Sequence, residues 1–350
     1  MSKKRNANVE LLRLLSMLMV TMLHALGKGE LLVSLTGETP VNGWIAWALE
    51  ALSIGAVNIF MLISGYFLVQ SEYKWKRVAE LVCQVLFYTV GAFLVFFLAG
   101  WTTGEEKDVY HLLHYLLPIH MDVYWFITTY LVIYLALPVL AAGVKNVSQK
   151  QLKAVILGLM VYECFFKSLL PVALETDSKG YSVLWYFITF LLGAYFRLYG
   201  FHFLNTVGRG FGAYALGSAL IFLEEFLLDS FHAQTGRLSE ILRINTNYNH
   251  LFVVLASVGI FSAFLHMAPR GERMGKVICA ISPYALGIYL LQENVTLRYR
   301  WQKSFGLVGA LQDPTGSFLG KLFAAVIVMA VAGLLVDALR ALLFRVVFRK

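Results

Sequence analysis

Long uninterrupted runs of apolar residues constrain this chain more than any other feature. Three clear runs lie at 55–69, 78–99 and 324–336. A helix needs about 20 mostly apolar residues to cross a hydrocarbon layer roughly 30 Å thick. The 350 residues are 59% hydrophobic and 14% charged, whereas soluble domains are about 45–50% apolar and about 25% charged. The sequence therefore predicts an all-α, polytopic integral membrane protein and excludes a soluble enzyme.

We predict about ten transmembrane helices of the usual length, all in a single membrane-embedded domain that covers residues 1–350. No linker, low-complexity tract or second soluble domain interrupts them. The predicted segments lie near 9–27, 44–70, 78–100, 122–141, 152–171, 181–199, 210–228, 249–267, 277–295 and 318–341.

Basic residues set the predicted orientation. Short cytoplasmic loops accumulate Lys and Arg, and most of the 29 basic residues fall on the side of the amino end. Both termini are therefore predicted to be cytoplasmic. The bias is weakest at Arg298, Arg300 and Lys303, which this topology places outside. The same distribution accounts for the net charge of +8 without a nucleic-acid partner.

Neither the cysteines nor the histidines form a recognisable metal motif. The three cysteines lie far apart in apolar segments, as buried small hydrophobes do: Cys83, Cys164 and Cys279. His111 and His114 are one helical turn apart in a long outer loop that also contains His120. A second pair and soft ligands are absent there. We expect no metal, and the role of this loop stays open.

Ionisable residues inside predicted spans are the strongest functional candidates, because burying them in lipid is costly unless they face protein or water. The first helix carries Glu10, Arg13 and His24. Arg13 and His24 are 11 residues apart, which is a rise of roughly 16 Å and three turns plus about 20°. Both side chains therefore project from nearly the same face. Alternatively, Arg13 reaches the lipid headgroups and His24 lies at the outer interface.

Two further stretches each have a functional and a structural interpretation. Ser64-Gly65 near the end of the second helix partly matches an intramembrane serine protease motif, but Leu62 replaces its first Gly. A pair of small residues more often allows two helices to approach closely. The basic turn at 74–77, Lys-Trp-Lys-Arg, opens the third helix. Free backbone N–H groups there favour anions, although a plain cytoplasmic loop would look the same.

Taken in order, these motifs resemble the bacterial membrane acyltransferase family 3, whose members O-acylate surface carbohydrates. The matching stretches are the Arg13–His24 pair with Glu10 before it, NIFMLISGYFL at 58–68, the basic turn, YWFITTYLVIYLALPVL at 124–140 and ISPYALGIYLLQENVTLR at 281–298. The resemblance covers essentially the whole chain. The ordered combination is specific, whereas each motif alone is weak.

The resemblance implies transfer of an acyl group, usually acetyl, from cytoplasmic acyl-CoA to a sugar hydroxyl near the outer side of the bacterial cytoplasmic membrane. Arg13 and His24 match the family's Arg–His pair, and Lys74 and Arg77 match its Arg-x-x-Arg pair. Histidine suits removal of the hydroxyl proton near neutral pH. We therefore assign His24 as the base, with Arg13 holding donor charge.

The remaining candidate residues complete the predicted site. Lys76 joins the donor-binding group. The substrate-binding candidates are Ser64, Tyr66, Trp125, which matches the family's aromatic residue at the head of the fourth helix, and Glu10. The expected partners are acetyl-CoA as co-substrate, a surface polysaccharide or its lipid-linked precursor as acceptor, and membrane lipid.

Three positions depart from the family pattern. Lys74 replaces the first Arg, so a planar two-pronged phosphate donor becomes a point charge. Tyr124 and Gln292 stand where relatives often have His. These departures concern donor binding and the late helix, and they leave the Arg–His pair intact.

Two other functions also fit parts of the sequence. A secondary transporter or flippase would contain a similar number of helices and buried charges, but such proteins often show paired helices interrupted by Gly or Pro, and no convincing pair is present. A polysaccharide polymerase or glycosyltransferase would need carboxylates on an outer loop. Glu105, Glu106 and Asp108 are the early candidates.

Overall fold

The computed structural model describes residues 5–101, 108–169 and 178–347, with side chains up to 345. Glu105 and Glu106 lie outside the described residues. Every regular element within these ranges is helical. The α-helices are α1 Ala7–Lys28, α2 Val41–Ser53, α3 Ala56–Leu68, α4 Trp75–Leu98, α5 Val109–Leu116, α6 Trp125–Leu135, α7 Leu137–Asn146, α8 Gln149–Met160, α9 Phe166–Leu169, α10 Val183–Tyr199, α11 Val207–Thr235, α12 Leu251–His266, α13 Glu272–Ile281, α14 Ala285–Gln292, α15 Trp301–Ser304 and α16 Thr315–Val347.

Several of these helices can cross a membrane. Within the described ranges, seven helical segments are long and apolar enough, or eight if α6 and α7 together form one bent span. The prediction of an all-α, polytopic membrane protein is confirmed in this form. The count of ten spans and the cytoplasmic position of both termini stay predictions.

Three predicted spans are interrupted rather than continuous. The segment predicted at 44–70 divides into α2 and α3 at Gly55, whose carbonyl oxygen accepts a hydrogen bond from Ser257 Oγ at 3.1 Å. The segment at 122–141 bends by 58° between α6 and α7, where Pro138 lacks an N–H group for helical bonding. The segment at 277–295 passes through a 3₁₀ turn that contains Pro283. Proline accompanies the second and third interruptions, and the first lies where a distant serine binds the backbone.

Close approach of backbones joins α3 to α10. A Cβ atom on Gly65 would overlap the carbonyl oxygen of Phe190, and one on Gly193 would overlap that of Leu62. Only glycine leaves room at these two crossings. The structure thus agrees with the interpretation of Ser64-Gly65 as a helix-packing pair.

The two ends of the chain come together around α4. Gln84 Nε2 on α4 donates a hydrogen bond to Asp337 Oδ1 on α16 at 2.8 Å. The rings of Phe87 and Phe344 lie edge to face, with centroids 6.2 Å apart. The last turns of α16 therefore lie beside the first half of α4. The beginning of α1 faces the same space.

Candidate functional site

A large cavity lies between α1, α3, α4, α6, α14 and α16. Its volume of about 830 Å³ lies within the range of roughly 300–1,000 Å³ that small-molecule sites occupy. From α1 it is lined by Arg13, Met17, Val20, Leu23 and His24. Arg13 and His24 thus face one common cavity, in agreement with their helical spacing.

His24 lies at one end of this cavity, beside the ion pair between Glu293 and Lys28. Its Nδ1 atom is 3.3 Å from Glu293 Oε1, just beyond the end of α14. The same carboxylate oxygen pairs with Lys28, one turn further along α1. Gln302 Nε2 donates to the His24 backbone carbonyl at 3.2 Å. The imidazole side chain is 21% exposed, so it is held in place while one part of it faces the cavity.

The opposite end of the cavity is strongly basic. Arg13 pairs with Glu10 at 3.1 Å, and Arg340 binds both oxygens of Asp337 at 2.9 and 2.8 Å. The other cations of this end are Lys76, Arg77 and Arg345. Such a concentration of positive charge attracts phosphate and other anions.

Aromatic rings line the wall between α6 and the segment that precedes α12. Trp125 stacks on Tyr248 with ring centroids 5.8 Å apart and an interplanar angle of 22°. Tyr130 and Tyr134 stack along α6 at 6.2 Å. Tyr289 of α14 also lines the cavity, 6.4 Å from the His24 ring. The wall offers flat apolar faces with hydroxyl groups at their edges.

Most of the sequence-predicted site residues line this cavity, and three do not. Those that do are Arg13, His24, Ser64, Lys76, Arg77 and Trp125. Glu10 instead contacts Arg13 from the side and also binds Arg5. Tyr66 accepts a hydrogen bond from Arg197 at 3.2 Å. Lys74 has a side chain that is 57% exposed and lies 3.8 Å from Glu72.

Sequence reasoning missed several groups that the fold brings to the cavity. Glu293 received no role, although it ends an apolar helix within the polar triplet Gln-Glu-Asn. Arg340 and Arg345 are among the basic residues on the predicted cytoplasmic side, and both line the cavity. The available signals were the polar triplet at the end of an apolar helix for Glu293 and the two arginines near the carboxyl end of the last helix.

The segment that carries His111 and His114 lies apart from this site. His111 and His114 are on α5 with ring centroids 6.0 Å apart, and Asp108 caps that helix by accepting from Tyr110 N. In the portion of the chain that the structure describes, no group of three or more His, Cys, Asp or Glu side chains could hold a metal. Neither histidine lines the cavity.

Comparison with known proteins assigns the class. A family model described as an acyltransferase domain matches residues 6–336, which is nearly the whole chain. Together with the helical fold, this match defines a multi-pass membrane acyltransferase. The chain therefore belongs to acyltransferase family 3, as the ordered motifs predicted. No curated protein and no solved structure was found to match it.

Proposed function

We propose that this protein is an O-acyltransferase of the bacterial cytoplasmic membrane. It moves an acyl group, which we take to be acetyl, from cytoplasmic acetyl-CoA to a hydroxyl of a surface polysaccharide or its lipid-linked precursor. One observation carries the proposal. Arg13 and His24 line a single cavity that is basic at the Arg13 end and holds the imidazole at the other.

The basic end suits the donor. Coenzyme A carries its phosphates on the nucleotide part and its thioester at the tip of a long flexible arm. Phosphates bound by Arg77 and Lys76 at the start of α4 would leave that arm directed along α1. Arg13, which lies at this end on the same helix as His24, would hold negative charge of the donor.

The other end suits the proton transfer. In the proposed reaction the acceptor oxygen bonds to the thioester carbonyl carbon, and its proton moves to His24. The carbon–sulfur bond then breaks, and the departing thiolate takes that proton. Glu293 faces Nδ1 at 3.3 Å, so an Nδ1–H directed at the carboxylate would leave Nε2 free to act as the base. General-base catalysis of this kind raises the reaction rate roughly 10²–10⁴-fold.

The aromatic wall suits a sugar acceptor. The faces of a pyranose ring are rich in C–H groups, and its edge carries hydroxyls. Trp125 and Tyr248 present stacked rings beside the cavity, and such rings combine a flat apolar face with a polar edge. We assign the acceptor sugar to this wall.

Acetyl transfer tests the proposal directly. Membranes that contain the protein should move labelled acetyl from acetyl-CoA into surface carbohydrate, and His24→Ala should lower the rate at least about 100-fold. His202→Ala is the matched control, because His202 is exposed and outside the cavity. Equal rates for His24→Ala and wild type would refute the base assignment. Absence of label with the wild type would refute transfer from this donor.

A further inference from the structure

Two arginines at the basic end of the cavity differ from the other cations there. Arg13, Arg340 and Lys76 each have a carboxylate within 4.0 Å. Arg77 and Arg345 also line the cavity, and neither forms an ion pair with any residue that the structure describes. An always-charged guanidinium without an acidic partner is available to a bound anion.

These two guanidiniums lie toward the same end of the cavity. The bond between Gln84 and Asp337 fixes α16 beside α4. Arg77 is seven residues before Gln84, and Arg345 is eight residues after Asp337. At 1.5 Å per residue, these are roughly 10 and 12 Å along the two helices. Both arginines line the cavity at this end.

Arg345 supplies a further arginine at the basic end of the cavity, which the basic turn at 74–77 does not. The family resemblance assigns the first basic residue of that turn to Lys74, which is exposed and does not line the cavity. A second unpaired guanidinium comes instead from α16. Arg345 lies in the last turn of α16, beyond residue 336, where the family match ends.

We propose that Arg345 binds the 3′-phosphate of the acyl-CoA donor, opposite a pyrophosphate held by Arg77 and the first turn of α4. This inference rests on the proposed function. Coenzyme A has two linked phosphates and one separate 3′-phosphate. The positive start of α4, together with Lys76 and Arg77, suits the linked pair. The planar guanidinium of Arg345 suits the single phosphate, which it can bind through two parallel hydrogen bonds.

Binding of coenzyme A and of 3′-dephospho-coenzyme A to the purified protein in detergent tests this assignment. The wild type should bind coenzyme A more tightly than the dephospho form. Arg345→Gln should weaken coenzyme A binding about tenfold or more and leave dephospho-coenzyme A binding unchanged. Arg345→Lys should restore part of the loss. Arg77→Gln should weaken both ligands alike.

Arg273→Gln is the matched control, because Arg273 is exposed at the start of α13 and does not line the cavity. It should bind both ligands as the wild type does. If Arg345→Gln weakens both ligands equally, or neither, the 3′-phosphate assignment is wrong.

A lipid headgroup offers the same phosphate chemistry to Arg345. In that case Arg345→Gln would lower thermal stability more in phosphatidylglycerol nanodiscs than in phosphatidylcholine nanodiscs. Coenzyme A binding would stay intact, and this result would overturn the donor assignment.

The binding readout does not require turnover. A wild type that binds coenzyme A with the expected preference but transfers no acetyl would leave this site standing and refute the proposed transfer.

Discussion

At the scale of the residue, the contact between His24 and Glu293 concentrates the proposed chemistry. An imidazole can act as a base at one nitrogen only if the other is held in a defined protonation state and direction. Glu293 faces Nδ1 at 3.3 Å and is itself paired with Lys28. We therefore propose that Glu293 is a positioning residue for His24.

Glu293→Gln should lower kcat for acetyl transfer roughly tenfold or more, because an amide directs the imidazole less strongly than a carboxylate. The KM for acetyl-CoA should stay unchanged, since Glu293 lies away from the basic end. Initial-rate kinetics on membranes separate the two constants. Glu38→Gln is a suitable control at an exposed glutamate. A raised KM with an unchanged kcat would contradict the positioning role.

At the scale of the element, the crossing of α3 and α10 depends on two glycines. The backbones meet at Gly65 and Gly193, with no space for a Cβ atom at either position. Ser64, next to Gly65, lines the cavity and donates to the Phe60 carbonyl at 2.8 Å. The crossing therefore also sets the position of one cavity wall.

Gly193→Ala should destabilise the protein by about 1–3 kcal/mol, because the added methyl group forces the two backbones apart. Gly91→Ala on α4 is the matched control, since a Cβ atom there meets open space. It should be neutral or stabilising by up to about 1 kcal/mol through helix propensity. Thermal unfolding in detergent compares the two variants. Equal midpoints would show that the close approach does not limit stability.

At the scale of the whole molecule, charge is arranged along the cavity from a basic end to an imidazole end. The start of α1, the start of α4 and the end of α16 contribute the basic end. Cytoplasmic loops of membrane proteins are enriched in Lys and Arg. In the predicted orientation, a donor made in the cytoplasm would meet the basic end first.

Cysteine labelling tests this orientation. In a background with the three native cysteines replaced by Ala, Lys303→Cys should react with a membrane-impermeant maleimide in intact cells. Arg273→Cys should react only after the cells are broken. Both positions are exposed in the structure. Labelling of Lys303→Cys only in broken cells would place that segment inside and reverse the predicted topology.

The local part of this fold could be predicted from sequence. Each predicted span overlaps a helix or an interrupted helix pair, since apolar runs and helical periodicity are properties of neighbouring residues. The shared face of Arg13 and His24 follows from the same periodicity. The interruptions at Gly55, Pro138 and Pro283 are not predicted, because the apolar pattern continues across them.

Contacts between distant residues could not be predicted in this way. Glu293 reaches His24 across 269 residues of chain, and Arg345 joins Arg77 at the same cavity from the far end of the sequence. The sequence alone determined a helical membrane protein, because hydrophobic length and helix geometry are local, and its ordered motifs indicated the acyltransferase family. Only the tertiary structure decided which side chains surround the cavity, because helix packing fixes how the faces of separate helices meet.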